Sequence, residues 1–501
     1  MTVAPGATSE RCHDDASPPP WWVRFPALLA GPLIALAVVM LLGPEGEDAP
    51  PPDAVALGRD GALVLGLLGW MATWWLFQAV PIPVTALLPV AVLPLLGVTG
   101  FGEAAAPYAS DVIFLFAGGC LLATAIDRHG LGRRFAGAIL SVAGRKPSAI
   151  VAAFILVTAL LSSVVSNTAT VAIVLPLAMG AIAYVDRHAV AVPGRSASTG
   201  RFALCLLLAV AYAANIGGCL TIVGSPPNAI GAKLLSEETG TPISFLGWMR
   251  FGGPVVLVML PLMWALLTMV LLPLRDLELE ATEGPAFEPG PPMSRESWFT
   301  LAVFIATVAA WVTRPLWPAE LASIGDWGIA TIAALLLLCV PLRISASGAA
   351  LEARDLARLP WGVFILFGGG ISLAEAMKTH GVDAYLGSLF TGLEGLPPWL
   401  VIATVVAAVV FLTEVTSNTA VASAVIPVLI VLGDALGIPA AELALTVAIA
   451  ASLAFMLPVG TPPNALVYST GMVPVGAMIR AGIVLNLVSI VVLTVLSRVL
   501  L

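Results

Sequence analysis

The chain has 501 residues, 59% of them hydrophobic and 10% charged, with a formal net charge of −8. A soluble domain carries roughly 25% charged residues, so composition excludes an ordinary soluble protein, and no nucleic-acid partner is expected. Apolar stretches repeatedly reach the ~20 residues that cross a bilayer as a helix, which makes this an all-α polytopic membrane protein.

Residues 1–24 form a polar tail, expected on the cytoplasmic side, and no small-residue cleavage site follows the first apolar run closely. Apolar runs near 25–43, 61–80, 83–99 and 110–127 fill a first segment, 25–146. The second segment, 147–274, opens with a long apolar stretch at 147–186 that has Ser166-Asn167-Thr168 in its middle. Spans near 202–232 and 249–274 complete it, and a connecting loop occupies 275–297. Spans near 298–316, 327–342 and 360–378 fall in segment 298–398. The last segment, 399–501, holds a divided stretch at 399–432 around Ser417-Asn418-Thr419, then spans near 441–469 and 479–500. This predicts about eleven crossings plus two re-entrant hairpins, whose polar tips are shielded from lipid inside the protein.

Loop charge sets orientation. Arg128, Arg133, Arg134, Arg145 and Lys146 crowd one loop, Arg187, Arg195 and Arg201 the next, and Arg343, Arg354 and Arg358 a third on the same side. The positive-inside rule then puts the N-terminus in the cytoplasm and the C-terminus outside, although the 275–297 loop is acidic and on the cytoplasmic side. The five cysteines, Cys12, Cys120, Cys205, Cys219 and Cys339, lack metal-ligand spacing and read as small hydrophobes. The four histidines, His13, His129, His188 and His380, fall in predicted loops or tails, which leaves no buried relay.

The chain repeats itself. "FAGGCLLATAIDRHG" from Phe116 matches "FGGGISLAEAMKTHG" from Phe367 at an offset of 251, which also carries Ser166 onto Ser417 and Pro176 onto Pro427. "GSPPNA" at Gly224 recurs as "GTPPNA" at Gly460, at an offset of 236. Five crossings separate corresponding helices, so the second copy is inverted. Inverted repeats with broken helices are the build of secondary transporters, with the site near the midplane.

Each repeated motif has its own chemistry. A helix starting after a hairpin tip offers free N–H groups and a positive dipole end, and Ser, Asn and Thr cap such ends. Two such tips suit two carboxylates or a tetrahedral dianion. The paired prolines interrupt a helix and leave carbonyl oxygens facing a cation, joined by hydroxyl and amide oxygens. Each half thus has a place for one sodium ion, and both together for one anion. Glu414 lies inside an apolar run, where an ionisable group is a functional candidate; it reads as an acceptor bracing the hairpin, with direct ion contact as the alternative. Glu375 and Lys378 lie near a helix end and are expected to reach toward the interface.

The doubled Ser-Asn-Thr and Pro-Pro-Asn motifs resemble the divalent anion:sodium symporters, which include sodium-coupled dicarboxylate transporters, over nearly the whole chain after the first span. The resemblance implies that Ser166, Asn167, Thr168, Ser417, Asn418 and Thr419 hold the substrate carboxylates, helped by Ser225, Pro226, Thr461 and Pro462. It assigns a first sodium site to Ser162, Ser166, Asn167 and the Gly224 carbonyl. A second falls to Thr413, the Thr416 backbone, Asn418 and the Gly460 carbonyl. It further implies a homodimer working as an elevator, in which 25–146 and 298–398 form the scaffold while 147–274 and 399–501 carry substrate across. The activity expected is sodium-coupled symport of C4-dicarboxylates such as succinate, malate or fumarate across a bacterial inner membrane, without an organic cofactor. An exchanger, or a sulfate or citrate carrier of the same fold, is the alternative. A membrane-embedded enzyme is not expected, because the sequence has no HExxH motif and no intramembrane Asp pair. The one visible departure is Ser225 where the second copy has Thr461.

Overall fold

Proline marks where the interior helices begin. Pro147, Pro226, Pro398 and Pro462 each open a helix, at a position where a missing N–H removes no intrahelical bond. The computed structural model describes residues 21–42, 57–141, 146–189, 198–277, 279, 293–318, 320–321, 324–342, 349–390 and 396–500. The N-terminal tail up to residue 20, residues 43–56, most of 275–297, and Arg145, Arg195 and Arg343 lie outside them.

In chain order, α1 (Trp21–Leu42) and α2 (Arg59–Phe77) precede two short helices, α3 (Ile82–Thr85) and α4 (Leu88–Leu95). Then come α5 (Phe101–Ala105), α6 (Asp111–Arg128), α7 (Leu131–Ser141), α8 (Pro147–Ser162) and α9 (Asn167–His188). α10 (Ser198–Gly217), α11 (Pro226–Thr239) and α12 (Phe245–Ala265) close the first half. The second half starts with α13 (Arg295–Thr313), α14 (Asp326–Cys339), α15 (Ala353–Leu356), α16 (Trp361–Thr379) and α17 (Val382–Phe390). It ends with α18 (Pro398–Thr413), α19 (Asn418–Leu436), α20 (Ala440–Ala450), α21 (Pro462–Tyr468) and α22 (Val475–Leu500).

Among the described residues, eight helices are long and apolar enough to cross a membrane, and α8, α14, α18 and α20 are apolar helices of 11–16 residues. The first arms of both divided stretches, α8 and α18, have 16 residues each. At ~1.5 Å per residue such an arm spans about 24 Å, less than the ~30 Å hydrocarbon core, whereas the second arm of the first stretch, α9, at 22 residues is among the eight long enough to cross. Exposed apolar side chains on α1 (Phe25, Leu33, Leu41), α12 (Leu257) and α22 (Val491, Val499) form outer surface that a bilayer covers.

Several expectations change in detail. The span at 83–99 is two helices, interrupted at Ala86 and Leu87 in a stretch holding Pro83, Pro89 and Pro94. The 202–232 and 441–469 runs are each broken at the paired prolines, as expected, between Gly217 and Pro226 and between Ala450 and Pro462. Two short helices that the apolar runs do not signal, α7 and α17, start at positions 251 residues apart. His188 is the last residue of α9 rather than part of a loop.

The two halves pack alike and interlock. α8 and α9 pack on α10, as α18 and α19 pack on α20; across the halves, α9 meets α21, α19 meets α11, α10 meets α21 and α11 meets α20. A close approach is repeated too. A Cβ on Gly252 would stand 2.4 Å from the Cys219 carbonyl oxygen, and one on Gly482 would stand 2.4 Å from that of Phe455, the residue that matches Cys219 at the offset of 236. Only glycine lets α12 and α22 lie that near the broken segments.

One inequality stands out in this repetition. α11 also packs on α16 and touches α6, whereas α21 packs chiefly on α9 and α10. Two ion pairs fasten the α11 side: Lys233 Nζ to Asp111 Oδ1 at 2.9 Å, and Lys378 Nζ to Glu238 Oε2 at 3.2 Å. Lys378, expected to reach toward the interface, is therefore paired.

Candidate functional site

The broken segments have one internal design. In the first, Asn228 Nδ2 donates to the carbonyls of Gly218 and Thr221, both at 2.8 Å. In the second, Asn464 Nδ2 donates to Ala454 O at 3.2 Å and Leu457 O at 3.0 Å, the positions 236 residues on. The asparagine of each Pro-Pro-Asn motif thus supplies donors that the unwound backbone lacks.

The first hairpin tip rests on the first break. Ser166 caps α9, its Oγ accepting from Ala169 N at 3.3 Å, and is exposed. Ser162 Oγ, buried, lies 2.7 Å from both Asn167 Oδ1 and Ala214 O. The same Asn167 atom is 3.3 Å from the carbonyl oxygens of Gly224 and Ala214. Four oxygens therefore face one another with a single hydroxyl proton among them. Two arrangements relieve the repulsion: the amide turns to donate its Nδ2, or a cation sits among the oxygens. Hydroxyl, amide and main-chain carbonyl oxygens make a hard-cation set. Ser162, Asn167 and Gly224 of the expected first ion site are drawn together; Ser166 points its hydroxyl into its own helix turn.

The second tip is held differently. Thr413 Oγ1 donates back to Val410 O at 3.0 Å and Thr416 Oγ1 to Leu412 O at 2.7 Å, so both hydroxyls serve their own helix. Ser417 Oγ is 3.5 Å from Ala420 N, and Asn418 Oδ1 is buried without a partner among the described residues. Glu414 is the anchor. Its Oε1 accepts from Phe455 N (2.7 Å), Met456 N (2.9 Å) and Asn486 Nδ2 (2.7 Å), and its Oε2 from Leu457 N (3.0 Å). A Cβ on Gly460 would stand 3.0 Å from Oε2, so the carboxylate adjoins the expected second ion site. This is the bracing acceptor that the sequence suggested. In the first half Thr221 Oγ1 plays the analogous part, donating to Ser163 O.

The two breaks are joined directly. Ser225 Oγ meets Ser452 Oγ at 2.8 Å, and Asn215 Nδ2 donates to Thr461 Oγ1 at 3.1 Å. One polar network thus runs from the first tip through both breaks to the second tip. Pro226 is half-buried and Pro462 exposed, each at the first position of its helix; Thr168 is half-buried and Thr419 buried in the first turns of α9 and α19. Sequence reasoning missed Asn215, Ser452, Asn486 and the Ala214 carbonyl. The asparagines were legible in principle, as lone amides inside apolar runs.

Residues 32–500 match the family described as the sodium:sulfate symporter transmembrane region. The sodium-dependent dicarboxylate transporter SdcS of Staphylococcus saprophyticus is 35% identical over 478 residues, covering 93% of this chain and 89% of that protein. SdcS of Staphylococcus aureus (strain bovine RF122) is 34% identical over 475 residues with the same coverage. Among solved structures, the YdaH transporter of Alcanivorax borkumensis superposes with a TM-score of 0.61 at 13% identity, covering 95% of this chain and 98% of that one, a likeness of fold.

Proposed function

The chain belongs to the sodium:sulfate symporter family, and from that premise we propose that it is a sodium-coupled carrier of C4-dicarboxylates such as succinate, malate or fumarate. Ser166–Thr168 and Ser417–Thr419, at the starts of α9 and α19, receive the two carboxylates, with Ser225, Pro226, Thr461 and Pro462 beside them. Sodium neutralises part of the cargo charge, at Ser162, Ser166, Asn167 and Gly224 in one half and at Thr413, Thr416, Asn418 and Gly460 in the other. The working unit is a homodimer in a bacterial cytoplasmic membrane, N-terminus inside and C-terminus outside, whose hairpin-bearing segments move as an elevator against the rest. The observation that carries the reading is the oxygen cluster of Ser162, Asn167, Ala214 and Gly224, within 2.7–3.3 Å of the Asn167 amide and linked to the other half. The names of the relatives at 34–35% identity support dicarboxylate and sodium.

Labelled succinate uptake into proteoliposomes, under separately imposed sodium, potassium and proton gradients, tests it. Uptake is expected only with sodium outside. Rapid uptake into vesicles loaded with succinate and free of sodium would mean exchange instead. The family description favours one second reading, sulfate, and competition by unlabelled sulfate and citrate decides between them.

Gly218 offers a sharper check. A Cβ there would stand 2.5 Å from Asn167 Oδ1, closer than real contacts allow. Gly218→Ala is expected to displace the amide and raise the sodium half-saturation constant roughly tenfold, since sub-ångström placement governs such sites. An unchanged constant would remove Asn167 from the ion site.

A further inference from the structure

The direction of the Thr461 hydroxyl is decided by its neighbours. Its Oγ1 accepts Asn464 N–H at 3.3 Å and one proton of Asn215 Nδ2 at 3.1 Å. The same nitrogen donates to Ala454 O at 3.1 Å. A carbonyl only accepts, so the Asn215 amide has one orientation, nitrogen toward Ala454 and Thr461. A hydroxyl oxygen has two lone pairs, and both are occupied here. What Thr461 has left to offer is its own proton. Ser225 differs: in its 2.8 Å contact with Ser452 either hydroxyl donates. Thr461 and Ser225 are both buried, and Asn215 is fully so.

We propose that Asn215 is a positioning residue that makes Thr461 an obligatory hydrogen-bond donor to the cargo. That side of the site then selects an oxygen that only accepts, as in an ionised carboxylate or a sulfate, while the Ser225–Ser452 pair leaves its proton free to turn. The proposal rests on the reading of Thr461 as an anion contact and adds the direction of its proton. Truncating Asn215 leaves the local backbone tied, because Ala454 O still accepts from Asn464 Nδ2 at 3.2 Å. The effect on Thr461 is thereby separable from a loss of fold.

The test is a mutant cycle of the full chain in proteoliposomes: wild type, Asn215→Ala, Thr461→Val, the double variant, and Thr461→Ser with and without Asn215→Ala. Asn215→Ala is expected to raise the half-saturation constant for labelled succinate about tenfold, the worth of one hydrogen bond to a charged group. Maximal rate and sodium half-saturation should stay within about twofold, the mark of an interaction confined to cargo binding. In the Thr461→Val background the same change should add less than about twofold, because residues acting through one another are not additive. In the Thr461→Ser background, which keeps the hydroxyl, Asn215→Ala should again raise the succinate constant about tenfold, the sensitivity that Thr461→Val removes. An equal rise in the Thr461→Val background, or a parallel rise in the sodium constant, overturns the proposal. Should Asn215→Ala fail to give monodisperse protein, Asn215→Ser, too short to reach Thr461, carries the same expectations. A wild type that moves labelled sulfate but not succinate would refute the dicarboxylate reading alone, and the cycle is then scored with sulfate. Uptake of neither would refute both.

Discussion

Asn167→Ala is expected to abolish sodium-driven uptake at ordinary sodium concentrations. The Asn167 amide is the centre of the first cluster: its end atom lies 2.7 Å from Ser162 Oγ and 3.3 Å from two carbonyl oxygens, and it is the amide oxygen that faces them when a cation is held there. Losing a contact to a charged partner costs about 1.5–3 kcal/mol, or roughly 10- to 150-fold in cation affinity. The residue also opens α9, where the proposed function puts a cargo carboxylate, so cation and anion affinities should fall together. Asn167→Asp separates the two. It keeps an oxygen at the cluster and adds negative charge, so sodium affinity should hold or rise while the succinate constant increases. Sodium titrations of uptake and of thermal stability in detergent read both. Wild-type sodium dependence in Asn167→Ala would end the assignment.

Glu414→Ala is expected to remove the folded protein rather than tune it. A carboxylate at the C-terminal end of a helix is unfavourable against the dipole, and Glu414 caps the C-terminus of α18. It is kept there by four donors: three consecutive backbone N–H groups, Phe455 to Leu457, and the Asn486 amide. Without it those donors face one another in the interior. Each unsatisfied buried donor costs about 1–3 kcal/mol, and two of the residues are half-buried, so a loss of at least about 3 kcal/mol is expected. Glu414→Gln should recover only part, since its amide nitrogen adds donors where acceptors are needed. Thermal unfolding and size-exclusion profiles check this; an alanine variant as stable as wild type would show that the bonds are dispensable.

What the sequence revealed follows from how local each signal is. Helix interruptions are written in short runs of Gly, Ser, Thr, Pro and Asn, so both tips and both breaks were visible at Ser166, Ser417, Gly224 and Gly460. Repetition at fixed offsets made the inverted architecture visible as well. Contacts between halves are another matter. Asn215 looks like a stray amide in α10 and Ser452 like filler after α20, because their partners, Thr461 and Ser225, lie 246 and 227 residues away. The donors to Glu414 are backbone groups, which no side-chain pattern discloses. Helices α7 and α17 were missed because 11 and 9 residues with mixed polarity lack the long apolar run that flags a span.

The ion pairs beside α11 make the two ends of this pseudo-symmetric molecule unequal. The counterparts of Lys233 and Glu238 are Ser469 and Pro474, while those of Asp111 and Lys378 are Gly362 and Asp127. Any rearrangement that trades the postures of the halves must undo two bridges and rebuild none at the opposite rim. Half-exposed bridges are worth only about 0–1 kcal/mol each. Even so, the resting balance tilts toward keeping that rim bolted, and dissolved salt is the handle that loosens it.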